Sequence, residues 1–136
     1  MKHPTSTVFL LAATLGCGGV KSTAAPSANP AGSATVIAGS DMNGNLLQSL
    51  RNRVPSMTVS ERSGECPRIS FRGQRALDHR PPSVYVDGTM MIDTCILNQI
   101  SAMEVDYVEV YPNGTGGRPG IKSNPSGVIM IFRIRE

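Results

Sequence analysis

The residues able to do chemistry in this chain are few, and several fall between Cys66 and Cys95. Asp93, preceded by apolar Met91 and Ile92 and followed by Thr94, has the surroundings of a hydrolytic carboxylate. Such a group works as one of a pair sharing a proton, so a second copy of the chain would have to supply its mate. Cys66, His79 and Cys95, with Asp78 or Asp87, are zinc-ligand types, but their spacing follows none of the usual ligand pairs, and no metal site is expected. Asn113 to Gly117 has the glycines of a phosphate loop without the lysine followed by Ser or Thr that would complete it, and reads as a surface turn. No Ser-His-Asp or Cys-His grouping stands out. The chain reads as non-catalytic and without a cofactor.

The stretch Met91 to Cys95 (MIDTC) resembles the hydrophobic-Asp-Thr-Gly signature of retroviral-type aspartic proteases. Cys95 stands where that signature has the glycine whose backbone freedom shapes its loop. Asp93 is better placed as a helix cap. A dimeric aspartic-type hydrolase centred on Asp93 is therefore the alternative from another class. A second carboxylate beside Asp93 would favour it, and Asp93 capping a helix would remove it.

The start of the chain reads as an address. Lys2 and His3 precede a short apolar run, Val8 to Leu15, far below the roughly 20 residues that cross a bilayer as a helix. LAATLGC, ending at Cys17, resembles a bacterial lipoprotein signal, which implies cleavage after Gly16 and lipidation of Cys17. A cut after Ala24 is the rival reading. The cysteines agree with export: with Cys17 lipidated or removed, Cys66 and Cys95 remain as an even pair. A bridge between them would close a loop of about 30 residues and stabilise by about 3.5 kcal/mol on the chain-entropy model.

Residues 18–33 are almost all small or Pro and read as a flexible tether, giving a signal at 1–16, a tether at 17–33 and a domain at 34–136. Formal net charge is +3, with 13 basic and 10 acidic side chains. That balance is too small and too evenly spread to argue for nucleic acid. Arg68, Arg72, Arg75 and Arg80 gather in one region and read as a solvated or carboxylate-facing edge.

Behind these residues stand the elements that must position them. Val84 and Val86 alternate with Ser83, Tyr85 and Asp87, a strand that Asp87-Gly88 turns out of. Two more apolar runs, Tyr107 to Tyr111 and Gly127 to Ile134, are expected to flank it, with Val128 to Phe132 apolar on both faces and so interior. Thr35 to Ala38, Met57 to Val59 and Ile69 to Phe71 are further short strands. Leu46, Leu47, Leu50 and Val54 make one helical stripe, capped by Asn43 or Asn45 and ended by Pro55. Ile96, Leu97, Ile100 and Met103 make a second, with Asp93 or Thr94 as cap. The fold class is α+β: a small mixed sheet of about four to five short strands with two helices on one face.

In this order the pieces resemble the plug domain of TonB-dependent outer-membrane receptors, from about Ala34 to the last residue. TVIAGSDM is similar to the family's opening strand, and NLLQSLRNRVPSMTV to its helix and Val-Pro-Gly-Val-like corner, with Ser56 in place of the corner glycine. ISFRG (with Arg72 and Gly73), SVYVDG (Asp87, Gly88), MEVDYVEVY (Glu109) and SGVIMIFRI (Gly127) are similar to its Ile-Arg-Gly, Val-Asp-Gly, Ile-Glu-Val and Gly-Gly-Val-Ile segments. Pro112 to Ser126 departs from the family's short turn, and Cys66 and Cys95 are extra. No barrel strands follow Glu136, so the expectation is a plug-like domain that makes protein contacts and is no channel itself.

The resemblance implies an envelope location, on the periplasmic side of a membrane, with an envelope protein as partner and the membrane reached through lipid on Cys17. A soluble exported form and a small-ligand binder using the Pro112–Ser126 loop are the alternatives. For the bridge, Ile69–Phe71 and Val84–Val86 are expected to be antiparallel neighbours, which would bring Cys66 near Cys95.

Overall fold

The computed structural model describes residues 34–73, 80–114 and 119–135. Its elements in chain order are β1 (Thr35–Ala38), α1 (Leu46–Arg53), β2 (Met57–Ser60), β3 (Arg68–Phe71), β4 (Ser83–Val86), β5 (Thr89–Met90), α2 (Ile96–Gln99), β6 (Val105–Tyr111) and β7 (Val128–Arg133). The larger sheet has the order β1-β6-β7-β4-β5, and β2 pairs with β3 apart from it.

The apolar run from Val128 to Phe132 decides the centre of the sheet. With Val128, Ile129, Met130 and Ile131 all buried, β7 must have protein on both faces, and it lies between β6 and β4. β6 pairs with it antiparallel and β4 parallel, with Val84 opposite Ile129 and Val86 opposite Ile131. The strand expected at the centre, β4, is interior only through the two-residue β5 on its far side. Tyr107–Tyr111 does not flank β4, because β7 intervenes.

One face of this sheet, with Ile37, Val84, Val86, Val108, Val110, Ile129 and Ile131, joins the helices and the β2–β3 hairpin in one apolar core. Helix α1 buries Leu46, Leu47 and Leu50 there, and Val54 behind them. A fully buried Leu stabilises by about 2 kcal/mol relative to its exposed state. Asn45 starts the helix: its side-chain oxygen accepts from the N–H groups of Leu47 (2.9 Å) and Gln48 (3.3 Å). Asn43, the other expected cap, instead exchanges hydrogen bonds with the Ser49 hydroxyl through its backbone.

Two expectations fail for non-local reasons. β3 does not neighbour β4; it pairs antiparallel with β2, Met57 opposite Phe71 and Val59 opposite Ile69. A hairpin between strands close in sequence loses little entropy on closing. The second helix stops at Gln99, and Met103 is 81% exposed rather than part of a buried stripe. The backbone there is taken by the chain ahead of α1: Leu46 N–H donates to the Ile100 carbonyl and Ala102 N–H to that of Gly44. Ser101 then caps a single 3-10 turn, accepting from the Met103 N–H.

Candidate functional site

Where β4 ends, Asp87 (φ 49°) and Gly88 (φ 85°) both take left-handed backbone, the conformation of a two-residue hairpin turn leading straight into β5. The Asp87 N–H donates to the Ile131 carbonyl at 2.9 Å, carrying the pairing with β7 past the end of β4. Its carboxylate accepts from the backbone N–H of Arg133 at 2.9 Å and from Arg133 Nε at 2.6 Å. These bonds, the backbone one first, hold the carboxyl below its ordinary value. Arg133 carried no signal in the sequence, since its relation to Asp87 follows from the parallel register alone.

Beside this lock lies an open depression of about 620 Å³ lined by Asp87, Met103, Glu104, Arg133, Ile134 and Arg135. Met103 and Ile134 are large apolar side chains left in solvent, 81% and 58% exposed. The Ile134 N–H donates to the Glu104 carbonyl and closes that end. The depression thus has apolar walls and an acid–base rim, and it takes shape where three elements end.

The other motif positions serve the packing. Gly127 has φ 103°, and a Cβ there would lie 2.5–2.6 Å from the Phe71 ring, so the glycine lets the β2–β3 hairpin reach the start of β7. Glu109 is buried on the second sheet face, where the Tyr111 hydroxyl donates to it at 2.9 Å. Arg72 is exposed with its N–H on the Ser56 carbonyl, and Gly73 (φ 95°) turns the chain after β3. Arg68 is exposed and lies 3.7 Å from Glu65, whereas Arg75 falls outside the described residues.

The second sheet face is not bare. Tyr85, Val128 and Met130 are buried on it, with Tyr111, Ile121 and Phe132 packed around them, and Tyr107 stacks on Phe132 at 4.4 Å. The described part of the Pro112–Ser126 loop closes over this face and on itself. Asn124 binds the Pro81 carbonyl, the Ser83 hydroxyl and the Ser126 N–H, and the Tyr85 hydroxyl accepts from the Lys122 N–H. Residues 115–118 of the loop lie outside the described residues.

Cys66 and Cys95 are joined in a disulfide, with Cα atoms 4.6 Å apart. The expected route, a β3–β4 pairing, is wrong: the bridge ties the loop of the β2–β3 hairpin, just ahead of β3, to the chain leading into α2. Next to it, the buried Thr94 hydroxyl donates to the Pro67 carbonyl at 2.5 Å. Asp93 accepts from the Cys95 N–H at 2.9 Å, setting the turn ahead of α2, whose own first residues carry no side-chain cap. Asp93 is thus occupied as a turn-setting side chain on the surface. Of the zinc-ligand types, Cys66, Cys95 and Asp93 come together, whereas Asp87 is held by Arg133. Asp78 and His79 lie outside the described residues, as does Cys17.

No protein-family model and no curated protein matches the sequence. Solved structures do match by fold. The RagAB peptide importer in its closed-closed state aligns with a TM-score of 0.57 at 15% identity, over 78% of this chain and 12% of that one. Its open-open state gives 0.57 at 17% identity, over 76% and 12%. FpvA of P. aeruginosa, bound to a heterologous pyoverdine and iron, gives 0.52 at 19% identity, over 78% and 14%. The chain thus spans about an eighth of the length of these proteins. Its fold is plug-like, as found in TonB-dependent outer-membrane receptors.

Proposed function

We propose that the chain is an exported, non-catalytic plug-like module, anchored to a membrane by lipid on Cys17, that binds a protein of the bacterial cell envelope in connection with outer-membrane transport. The observation that carries the proposal is the plug-like fold itself, matched over 78% of the chain to the RagAB peptide importer. In support, Asp93, the one carboxylate with a hydrolase-like sequence setting, accepts from the Cys95 N–H at the surface. The exposed Met103 and Ile134, at the open end of the sheet, offer an apolar contact with a charged rim.

The test uses the full chain in cells. Wild-type protein is expected in the membrane fraction, and Cys17→Ser is expected to be released or left uncut; a mature chain beginning at Ala25 overturns the anchor. A photo-cross-linking residue at Met103 is expected to form an adduct with an outer-membrane transport protein, identified by mass. Adducts to soluble proteins only, or none from any exposed position, overturn the binding role.

A further inference from the structure

We propose that Cys66, Cys95 and Asp93 form a redox-gated site for a thiophilic divalent cation of the zinc class. The two sulfur atoms and an Asp93 carboxylate oxygen all lie within 4.8 Å of one another. Ligand atoms on one tetrahedral zinc stand about 3.5–4 Å apart, from metal–ligand bonds of about 2.0–2.3 Å. The donor set is thus within a small side-chain adjustment of coordination once the sulfurs are free. In the oxidised chain they are bonded to each other, neither is a thiolate, and the site is closed.

Three features keep the donors together after the bridge opens. The Thr94 hydroxyl holds the Pro67 carbonyl, joining the residue before Cys95 to the residue after Cys66, and both partners are buried. Leu97, in the first turn of α2, is fully buried and fixes the helix against the core. Asp93 is oriented by its bond from the Cys95 N–H, and such a second contact is what aims a ligand at a metal. Asp93 is exposed and the cysteines half-buried, so a cation has a path from solvent and water can complete the coordination.

The chemistry balances with a dithiol as reductant. Its two S–H groups are oxidised to a disulfide, and the Cys66–Cys95 bond takes up two electrons and two protons to give two thiols. The cation then displaces those two protons and binds two thiolates and one carboxylate. Bridge and cation close the same loop, so the cross-link between the β2–β3 hairpin and α2 survives in either redox state.

The test titrates the full chain with cobalt(II) as a spectroscopic probe and then with zinc, without oxygen. The oxidised chain is compared with one reduced by a water-soluble phosphine. The reduced chain is expected to bind one cobalt with sulfur-to-metal charge-transfer absorption and tetrahedral bands, which zinc displaces. The oxidised chain is expected to bind none. Asp93→Asn retains an oxygen for the Cys95 N–H but loses the anionic ligand, and should bind about tenfold more weakly or worse. Cys66→Ser should lose the charge-transfer band's two-thiolate intensity. Equal cobalt affinity in Asp93→Asn, no thiolate band in the reduced wild type, or loss of its folded circular dichroism on reduction without recovery on adding metal each overturns the proposal.

Discussion

The carboxylate of Asp87 grips Arg133 twice, at the backbone N–H (2.9 Å) and at Nε (2.6 Å), across 46 positions of sequence. The pair fastens the turn after β4 to the end of β7. The fold's only parallel pairing among the described strands is thereby secured at its open end.

Because these bonds lower the folded-state pKa of Asp87 from its ordinary 3.8, its contribution is fully present above that value. It is lost as pH falls through the lowered folded value. Asp87→Asn should cost about 1 kcal/mol at neutral pH, since an amide oxygen still accepts one of the two bonds. Urea midpoints measured from about pH 5 to about pH 2 should fall less steeply in Asp87→Asn than in the wild type. Parallel curves would refute the assignment.

Val86 is buried opposite Ile131 in the main core. Val86→Asp places a charge there, and the loss should be several kcal/mol, enough to unfold a domain of this size. Circular dichroism on the purified variant reads the outcome; a normal melting curve would mean that this face of β4 is not buried.

Cys95→Ser, measured with a chelator present, removes the bridge but not the Thr94–Pro67 bond. A loss of about 3.5 kcal/mol follows from the loop closed, a drop in Tm of about 10–20 °C for a domain near 100 residues. Equal melting of the wild type with and without reductant would deny the bridge an energetic role.

Gly127→Ala drives a methyl into the Phe71 ring and places an L side chain at φ 103°. The expected cost is about 2 kcal/mol or more. Adding Phe71→Leu should recover the steric part and leave the backbone part. A double variant that is less stable by the full sum of the two single changes would separate Gly127 from Phe71.

What the sequence by itself determined was local. Alternation at Val84 and Val86 makes a strand whatever lies next to it, Asn45 caps α1 through bonds two and three residues away, and Pro55 lies just past its end. The doubly apolar Val128–Phe132 run required cover on both sides, and the cysteine count offered Cys66 and Cys95 as a pair, which the structure joins. Six motif segments in order carried the plug-like fold. Only the tertiary structure decided the neighbours: β7 rather than β6 beside β4, β2 rather than β4 beside β3, and Arg133 on Asp87. It also left Met103 in solvent, although its spacing matched the buried stripe, because Gly44 and Leu46 take the backbone groups at Ala102 and Ile100 that a longer helix would have used. The reason is that periodicity records which face of a segment is buried and not what buries it. Strand order is settled by the competition of distant segments for the same core, and that competition leaves no fixed spacing to read.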